Sequence, residues 1–141
     1  MAAARDVLLD TGPLVAVLDA RDQWHRACAA VWPEVINRCV TTEAVVAEAC
    51  HLALRGRASA SAPIRFLATA GIPVLSLPVG GLERAATLMD RYERLPMDFA
   101  DATLVAVAEA LQIATVFTTD RRGFAAYRRP RARHFEILPE R

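Results

Sequence analysis

The chain has 141 residues, 54% of them hydrophobic, and a formal net charge of +1. That length suits one domain over residues 1–141 with a core of its own. No apolar run approaches the ~20 residues of a membrane-spanning helix, and a near-neutral balance excludes a strong global field for polyanions.

The opening Met1-Ala2-Ala3-Ala4-Arg5-Asp6 passes at once into an apolar segment, without the long hydrophobic stretch of a leader, so a cytoplasmic protein is expected. Val7-Leu8-Leu9 reads as a buried strand ending at Asp10, and Gly12-Pro13 as a turn. Leu14–Leu18 begins a helix with Pro13 in its first turn. Trp24, Cys28, Val31 and Trp32 recur at helical spacing, which predicts a core helix over about 23–37. Residues 38–42 read as a strand, after which Thr42 caps a helix through Leu54. A helix over 58–70, a strand over Ile72–Leu77 and a helix over Leu82–Tyr92 follow. Pro96 stops the chain, and a strongly periodic helix covers Phe99–Leu111. Thr115–Thr118 and Phe135–Leu138 read as the last strands. Short apolar strands alternating with helices predict an α/β protein with a mainly parallel sheet covered on both faces. Such sheets place ligands in the crevice beyond the carboxyl ends of their strands.

Four carboxylates stand out on that frame. Asp10 and Asp120 each follow an apolar strand; turn chemistry accounts for either alone but poorly for both. Glu48 shares a helix face with Ala44, Val45 and Leu52, where a charge is costly unless paired or metal-bound. Asp101 shares a face with Leu104, Val105, Ala108 and Leu111 or Gln112, so its side chain is expected to point inward. Asp98 reads as the cap of that helix and as an auxiliary candidate, and Glu43 as a first-turn acid that suits the helix dipole. Converging carboxylates raise each other's pKa. A hard divalent cation such as magnesium relieves this and accepts one or two direct carboxylates with several waters.

Other motifs carry less. Leu8-Leu9-Asp10-Thr11-Gly12 resembles the active-site loop of retroviral-type aspartic proteases, which are all-β. A phosphoacceptor receiver site needs a lysine, and all 17 basic residues here are arginine. A dehalogenase-type phosphatase needs a second acid at position 12, which is Gly12. Glu48 and His51 have E-x-x-H spacing, but a di-iron site needs a second such pair. Cys28, Cys39 and Cys50 form neither a zinc nor a disulfide pattern and read as free thiols. His25, His51 and His134 are assigned to no site. Residues 121–133 hold six arginines and no acid, either a solvated basic run or a set of phosphate forks.

Four segments in order, VLLDTGPLVAV (7–17), TTEAVVAE (41–48), MDFADATLVAVAE (97–109) and FTTDRRGF (117–124), resemble the sequence blocks of PIN-domain proteins. The resemblance spans nearly the whole chain and is to single-domain bacterial PIN proteins, including the VapC-type toxin halves of VapBC toxin–antitoxin pairs. It implies a three-layer α/β/α fold and a Mg2+- or Mn2+-dependent endoribonuclease acting on single-stranded or looped RNA. The four family acids fall on Asp10, Glu48, Asp101 and Asp120; Thr119 matches a family hydroxyl position, and Asp98 an acid found in part of the family. On this reading Asp10, Asp101 and Asp120 hold metal, and Glu48 binds metal or an ordered water. Arg121, Arg122 or nearby arginines hold flanking phosphates, and cleavage leaves 5′-phosphate and 3′-hydroxyl ends. The resemblance further implies a cognate antitoxin and a homodimer, with no membrane partner. A housekeeping RNA-processing nuclease and a catalytically silent binding module are the alternatives.

Overall fold

The computed structural model describes residues 4–56 and 58–140. The opening Met1-Ala2-Ala3, read above for the absence of a leader, lies outside them. In chain order the elements are β1 (Val7–Leu9), α1 (Thr11–Leu18), α2 (His25–Val35), β2 (Cys39–Thr42), α3 (Glu43–Arg55), α4 (Ala62–Ala70) and β3 (Val74–Leu75). There follow α5 (Gly81–Arg91), α6 (Phe99–Leu111), β4 (Thr115–Phe117), α7 (Arg121–Ala126), β5 (Arg128–Arg129), a 3-10 turn (Pro130–Ala132), β6 (Arg133–His134) and β7 (Glu136–Leu138). Five strands form one sheet in the order β3-β2-β1-β4-β7, and every pairing in it is parallel. The fold is the expected mixed α/β one.

Side-chain alternation explains the layers. Leu8 lies in register with Val40 and Val116, and Val7 with Cys39. Because neighbours along a strand point to opposite faces, Leu8, Val40 and Val116 meet α5 and α6 on one side through Ala85, Leu88, Leu104 and Val105. Val7, Leu9, Cys39 and Phe117 meet α1, α2 and α4 on the other through Leu14, Cys28, Trp32 and Leu67. α3 joins both layers, giving Val45 to the first cluster and Ala49 to the second. The run VLL is apolar throughout because β1 is the central strand and is buried on both faces.

Several boundaries differ from expectation. α1 starts at Thr11, directly after the strand, because the Asp10 carboxylate accepts a hydrogen bond from Thr11 N–H and caps the helix at once. Pro13 then lies in the first turn, where no intrahelical N–H is needed. α4 begins at Ala62, four residues later than expected. β3 is confined to Val74–Leu75 between Pro73 and Pro78, as befits an edge strand that prolines keep short. α7 and the antiparallel β5–β6 pair were not expected; arginine-rich segments with few apolar residues give no periodicity to read.

The Trp24, Cys28, Val31 and Trp32 stripe is core. Trp32 packs edge-on against Phe66 at 5.2 Å and Phe117 at 5.1 Å between ring centroids. Its buried Nε1 has no hydrogen-bond partner among the described residues. Trp32→Ala is expected to cost about 3–5 kcal/mol in equilibrium denaturant unfolding. Trp32→Phe should cost markedly less, since it keeps an aromatic ring and removes an unpaired donor; equal losses would refute this account.

Candidate active site

Four helices begin at the carboxyl end of the sheet, and their caps build the site. Asp10 caps α1, Asp98 caps α6 and Asp120 caps α7, each with a carboxylate oxygen accepting from a first-turn N–H. Thr42 caps α3 and shares a hydrogen bond of 2.8 Å with Thr103 of α6. Parallel strands all end at this pole, and α6 starts here because it precedes β4. The chain's alternation of strand and helix therefore carries residues distant in sequence to one place.

Asp10 is the centre of this arrangement and is only 6% exposed. Its Oδ1 accepts from Thr11 N–H at 2.8 Å, and its Oδ2 accepts from the Thr118 hydroxyl at 2.7 Å. Thr118 Oγ1 in turn accepts from Asp120 N–H at 2.9 Å. One buried hydroxyl thus ties the acid after β1 to the acid after β4. Desolvation pushes the Asp10 carboxyl up to about 6, with Glu48 and Asp98 adding like charge.

Asp101 faces inward from the first turn of α6 and is 8% exposed. Its Oδ2 accepts from the Tyr127 hydroxyl at 2.8 Å. Burial, followed by the charges of Asp10, Asp98 and Asp120, pushes its carboxyl up to about 8. Tyr127 is itself buried, packed edge-on against Tyr92 and Phe124, and burial raises its phenol well above the ordinary value. Leu104, Val105 and Ala108 share the core as expected, but Leu111 is exposed at the helix end.

Glu48, Asp98 and Asp120 stand around these two. Glu48 is half-buried, and burial raises its carboxyl, with Asp98 as the next cause. The buried stripe of α3 is Val45, Ala49 and Ala53, with Leu52 exposed, so Glu48 lies on the flank of that stripe rather than within it. The buried Thr11 hydroxyl lies toward Glu48 but falls short of a full hydrogen bond. Asp98 and Asp120 are exposed.

Thr119 closes over α1: a Cβ at Gly12 would collide with its side chain, so the close approach requires glycine there. At Gly123 a Cβ would likewise meet the Asp120 carboxylate and the Tyr127 hydroxyl. Arg121 Nη1 donates to the Pro139 carbonyl, whereas Arg122 is exposed.

No arginine pairs with these five acids among the described residues; the ion pairs there are Arg21–Asp19, Arg38–Asp6 and Arg84–Glu109. Nor do any three His, Cys, Asp or Glu side chains among the described residues form a group that could enclose a metal. The reason is local: three of the acids are turned back onto their own helix N-termini. The donor set still fits a hard cation of the magnesium type, which keeps most of its waters and takes one or two carboxylates. Cys28 and Cys39 are free, buried and pushed up by burial to about 11 and about 12, so neither is a reactive thiolate or a competing soft ligand.

A model of the PIN domain family matches residues 7–130. The chain belongs to the PIN-domain family. It is 28% identical over 135 residues to Ribonuclease VapC26 of Mycobacterium tuberculosis, an alignment covering 94% of this chain and 100% of that relative. Among solved structures it is similar in fold to Mycobacterium tuberculosis VapC20, described as a sarcin-ricin loop cleaving toxin. That likeness has a TM-score of 0.70 at 22% identity over 83% of this chain and 93% of the other. It is also similar in fold to VapBC2 from Rickettsia felis, solved with a DNA fragment from its promoter, with a TM-score of 0.64 at 10% identity over 96% and 97% of the two chains. The PIN-domain match includes all five acids of the pole and ends at Pro130, within the β5–β6 turn.

Sequence reasoning missed Thr118, Tyr127 and Thr103 in this PIN domain. Thr118 was legible only as a hydroxyl at a strand end, and Tyr127 lies 26 residues from the acid it touches. Both buried acids have folded-state values above their ordinary 3.8, so the fold retains protons that the unfolded chain releases. Stability from this source is full below about pH 4 and is lost as pH rises through about 6 and then about 8. Asp101→Asn is therefore expected to raise the Tm of the protein in EDTA at pH 8, by roughly 3–6 °C. The gain should vanish near pH 4. An unchanged or lowered Tm at pH 8 would show that the carboxyl is not held against its charge.

Proposed function

We propose that this PIN-domain protein is a Mg2+-dependent endoribonuclease, Mn2+ being a substitute, and the toxin of a type II toxin–antitoxin pair. The observation that carries the reading is the pair of buried, proton-retaining carboxyls Asp10 and Asp101, which no cation of the described chain neutralises, at the carboxyl edge of a parallel sheet. The names of VapC26 and VapC20 support it. Asp10, Asp101 and Asp120 would hold the cation. When bound, it supplies a Lewis acid beside the phosphate and a readily ionised water.

The chain's own residues do the rest. Thr118 fixes the Asp10 carboxylate from one side, and Tyr127 fixes that of Asp101. Glu48, half-buried and raised in pKa, orients a water or accepts its proton. Arg122, exposed in the first turn of α7, meets a flanking phosphate; Arg121 is the weaker candidate because its Nη1 is held by Pro139. Asp98 caps α6 and adds negative charge to the field of both buried acids. Hydrolysis puts the oxygen of water on phosphorus and releases the ribose 3′-oxygen as a hydroxyl, leaving a 5′-phosphate.

A protein partner fits the surface. Leu54, Ile64, Leu82 and Phe99 are exposed. Exposed apolar side chains on helices α3 to α6 suit a cognate antitoxin or a second copy of the chain.

Asp10→Asn and Asp101→Asn are expected to abolish metal-dependent RNA cleavage while leaving the circular dichroism spectrum intact. Thr118→Val and Tyr127→Phe, which remove only the supporting hydroxyls, should lower kcat roughly 10- to 100-fold. Sequencing RNA ends after induced expression, with Asp101→Asn as control, tests the reading. Equal end patterns from both proteins would sink it. Rescue of growth by a small protein encoded beside this one would separate a toxin from a housekeeping nuclease.

A further inference from the structure

Thr11 carries the one buried side-chain hydroxyl without a hydrogen-bond partner among the described residues. The other buried threonines there are Thr41, Thr42, Thr103 and Thr118, and each is paired. Thr41 donates to the Leu9 carbonyl at 2.8 Å, Thr103 to the Ala100 carbonyl at 2.7 Å, and Thr118 to Asp10 at 2.7 Å. Thr42 shares its hydrogen bond with Thr103. Thr11 is only 3% exposed. A hydroxyl kept from water and left unpaired is destabilising, so its presence calls for a reason beyond folding.

Local structure explains why it has no partner. Within a helix a threonine hydroxyl turns back to the carbonyl three or four residues earlier, as Thr87 of α5 does to the Glu83 carbonyl at 3.0 Å. Thr11 is the first residue of α1, and the residues three and four positions back are Leu8 and Val7 of β1, a strand paired on both sides. No helical turn precedes it, so no turn carbonyl is free to accept. Its N–H is taken by Asp10 Oδ1. The helix packs against α3, and the hydroxyl lies toward the Glu48 carboxylate of α3, short of a hydrogen bond.

The two buried acids show what such a donor does. Asp10 takes the Thr118 hydroxyl and Asp101 the Tyr127 hydroxyl, and each carboxylate is fixed by a neutral group that leaves its charge intact. Glu48 is half-buried on the flank of α3, with like charge from Asp10 and Asp98 facing it. A cation among these acids removes that repulsion and draws Glu48 inward. We propose that Thr11 is a positioning residue for Glu48: when a divalent cation occupies the pole, the Thr11 hydroxyl donates to the Glu48 carboxylate and holds it turned toward the cation. This rests on the metal-dependent ribonuclease reading above. One residue then serves two acids, Asp10 through its N–H and Glu48 through its hydroxyl. The competing account makes Thr11 a spacer between α1 and α3 whose hydroxyl is incidental.

Thr11→Val keeps the shape and removes the hydroxyl, whereas Thr11→Ser keeps the hydroxyl. The full chain and each variant are titrated with Mn2+ alone, read by electron paramagnetic resonance of the free ion, and their Tm is measured in EDTA. Thr11→Val should weaken Mn2+ binding about tenfold. Its Tm in EDTA should equal or exceed that of the parent, because an unpaired buried hydroxyl is gone. Thr11→Ser should bind Mn2+ as the parent does. In a Glu48→Ala background, Thr11→Val should weaken Mn2+ binding no further, because the two side chains act as one unit. At saturating Mn2+, kcat for RNA cleavage by Thr11→Val should fall with KM for RNA unchanged. Unaltered Mn2+ binding by Thr11→Val would overturn the proposal. So would the same loss in the Glu48→Ala background, which would place the hydroxyl's effect on another group. A lowered Tm in EDTA, with a loss of Mn2+ binding that Thr11→Ser shares, would overturn it in favour of the spacer. Absence of RNA cleavage by the unmodified chain counts against the ribonuclease reading instead, and is distinguishable because the Mn2+ and Tm measurements need no cleavage.

Discussion

Two carboxyls buried at one pole without a counter-cation among the described residues are the constraint on which this structure turns. A charge out of water is costly, and a second of the same sign is costlier. The fold meets that cost with neutral donors. Asp10 receives a backbone N–H and a threonine hydroxyl, and Asp101 receives a tyrosine hydroxyl. Neutral donors hold a carboxylate in place without cancelling its charge, as an arginine would. The result is a pole whose two buried carboxyls hold their protons above the ordinary carboxylate range.

Asp10, Asp98 and Asp120 are also helix caps, and each stabilises the helix it starts. The capping account of these residues therefore holds, and it leaves the chemical account proposed for them standing beside it. Capping also sets the geometry: a carboxylate turned to its own helix is held at a defined place around the buried pair. That is why no three acids close around a common point among the described residues, although their charges reach one another.

Charge is segregated along this PIN domain in a way that the net value of +1 conceals. Acids gather where helices begin at the carboxyl edge of the sheet, and arginines gather on the hairpin beyond Tyr127. Because every basic residue is arginine, each positive site is a planar fork with a fixed hydrogen-bonding face. Glu109, near the end of α6, already has its own arginine.

The sequence alone determined the alternation of strand and helix, the parallel sheet and four of the acids. Each rests on local physics: apolar runs of strand length, 3.6-residue periodicity, and an acid placed where burial makes it costly. Asp101 was legible because it interrupts the apolar face of a helix. Glu48 was legible by the same rule, although its true place is on the flank of the buried stripe. Tertiary structure decided the partners. Thr118 reaches Asp10 across 108 residues of chain, and Tyr127 reaches Asp101 from a segment whose arginines hide any periodicity. It also decided that Gly12 must be glycine, because Thr119 lies over it, and that Arg129 faces Arg133 across a turn with no sequence signature. Such contacts depend on which strand ends lie side by side, and strand order is set by packing both faces of the sheet at once rather than by any stretch of residues read singly.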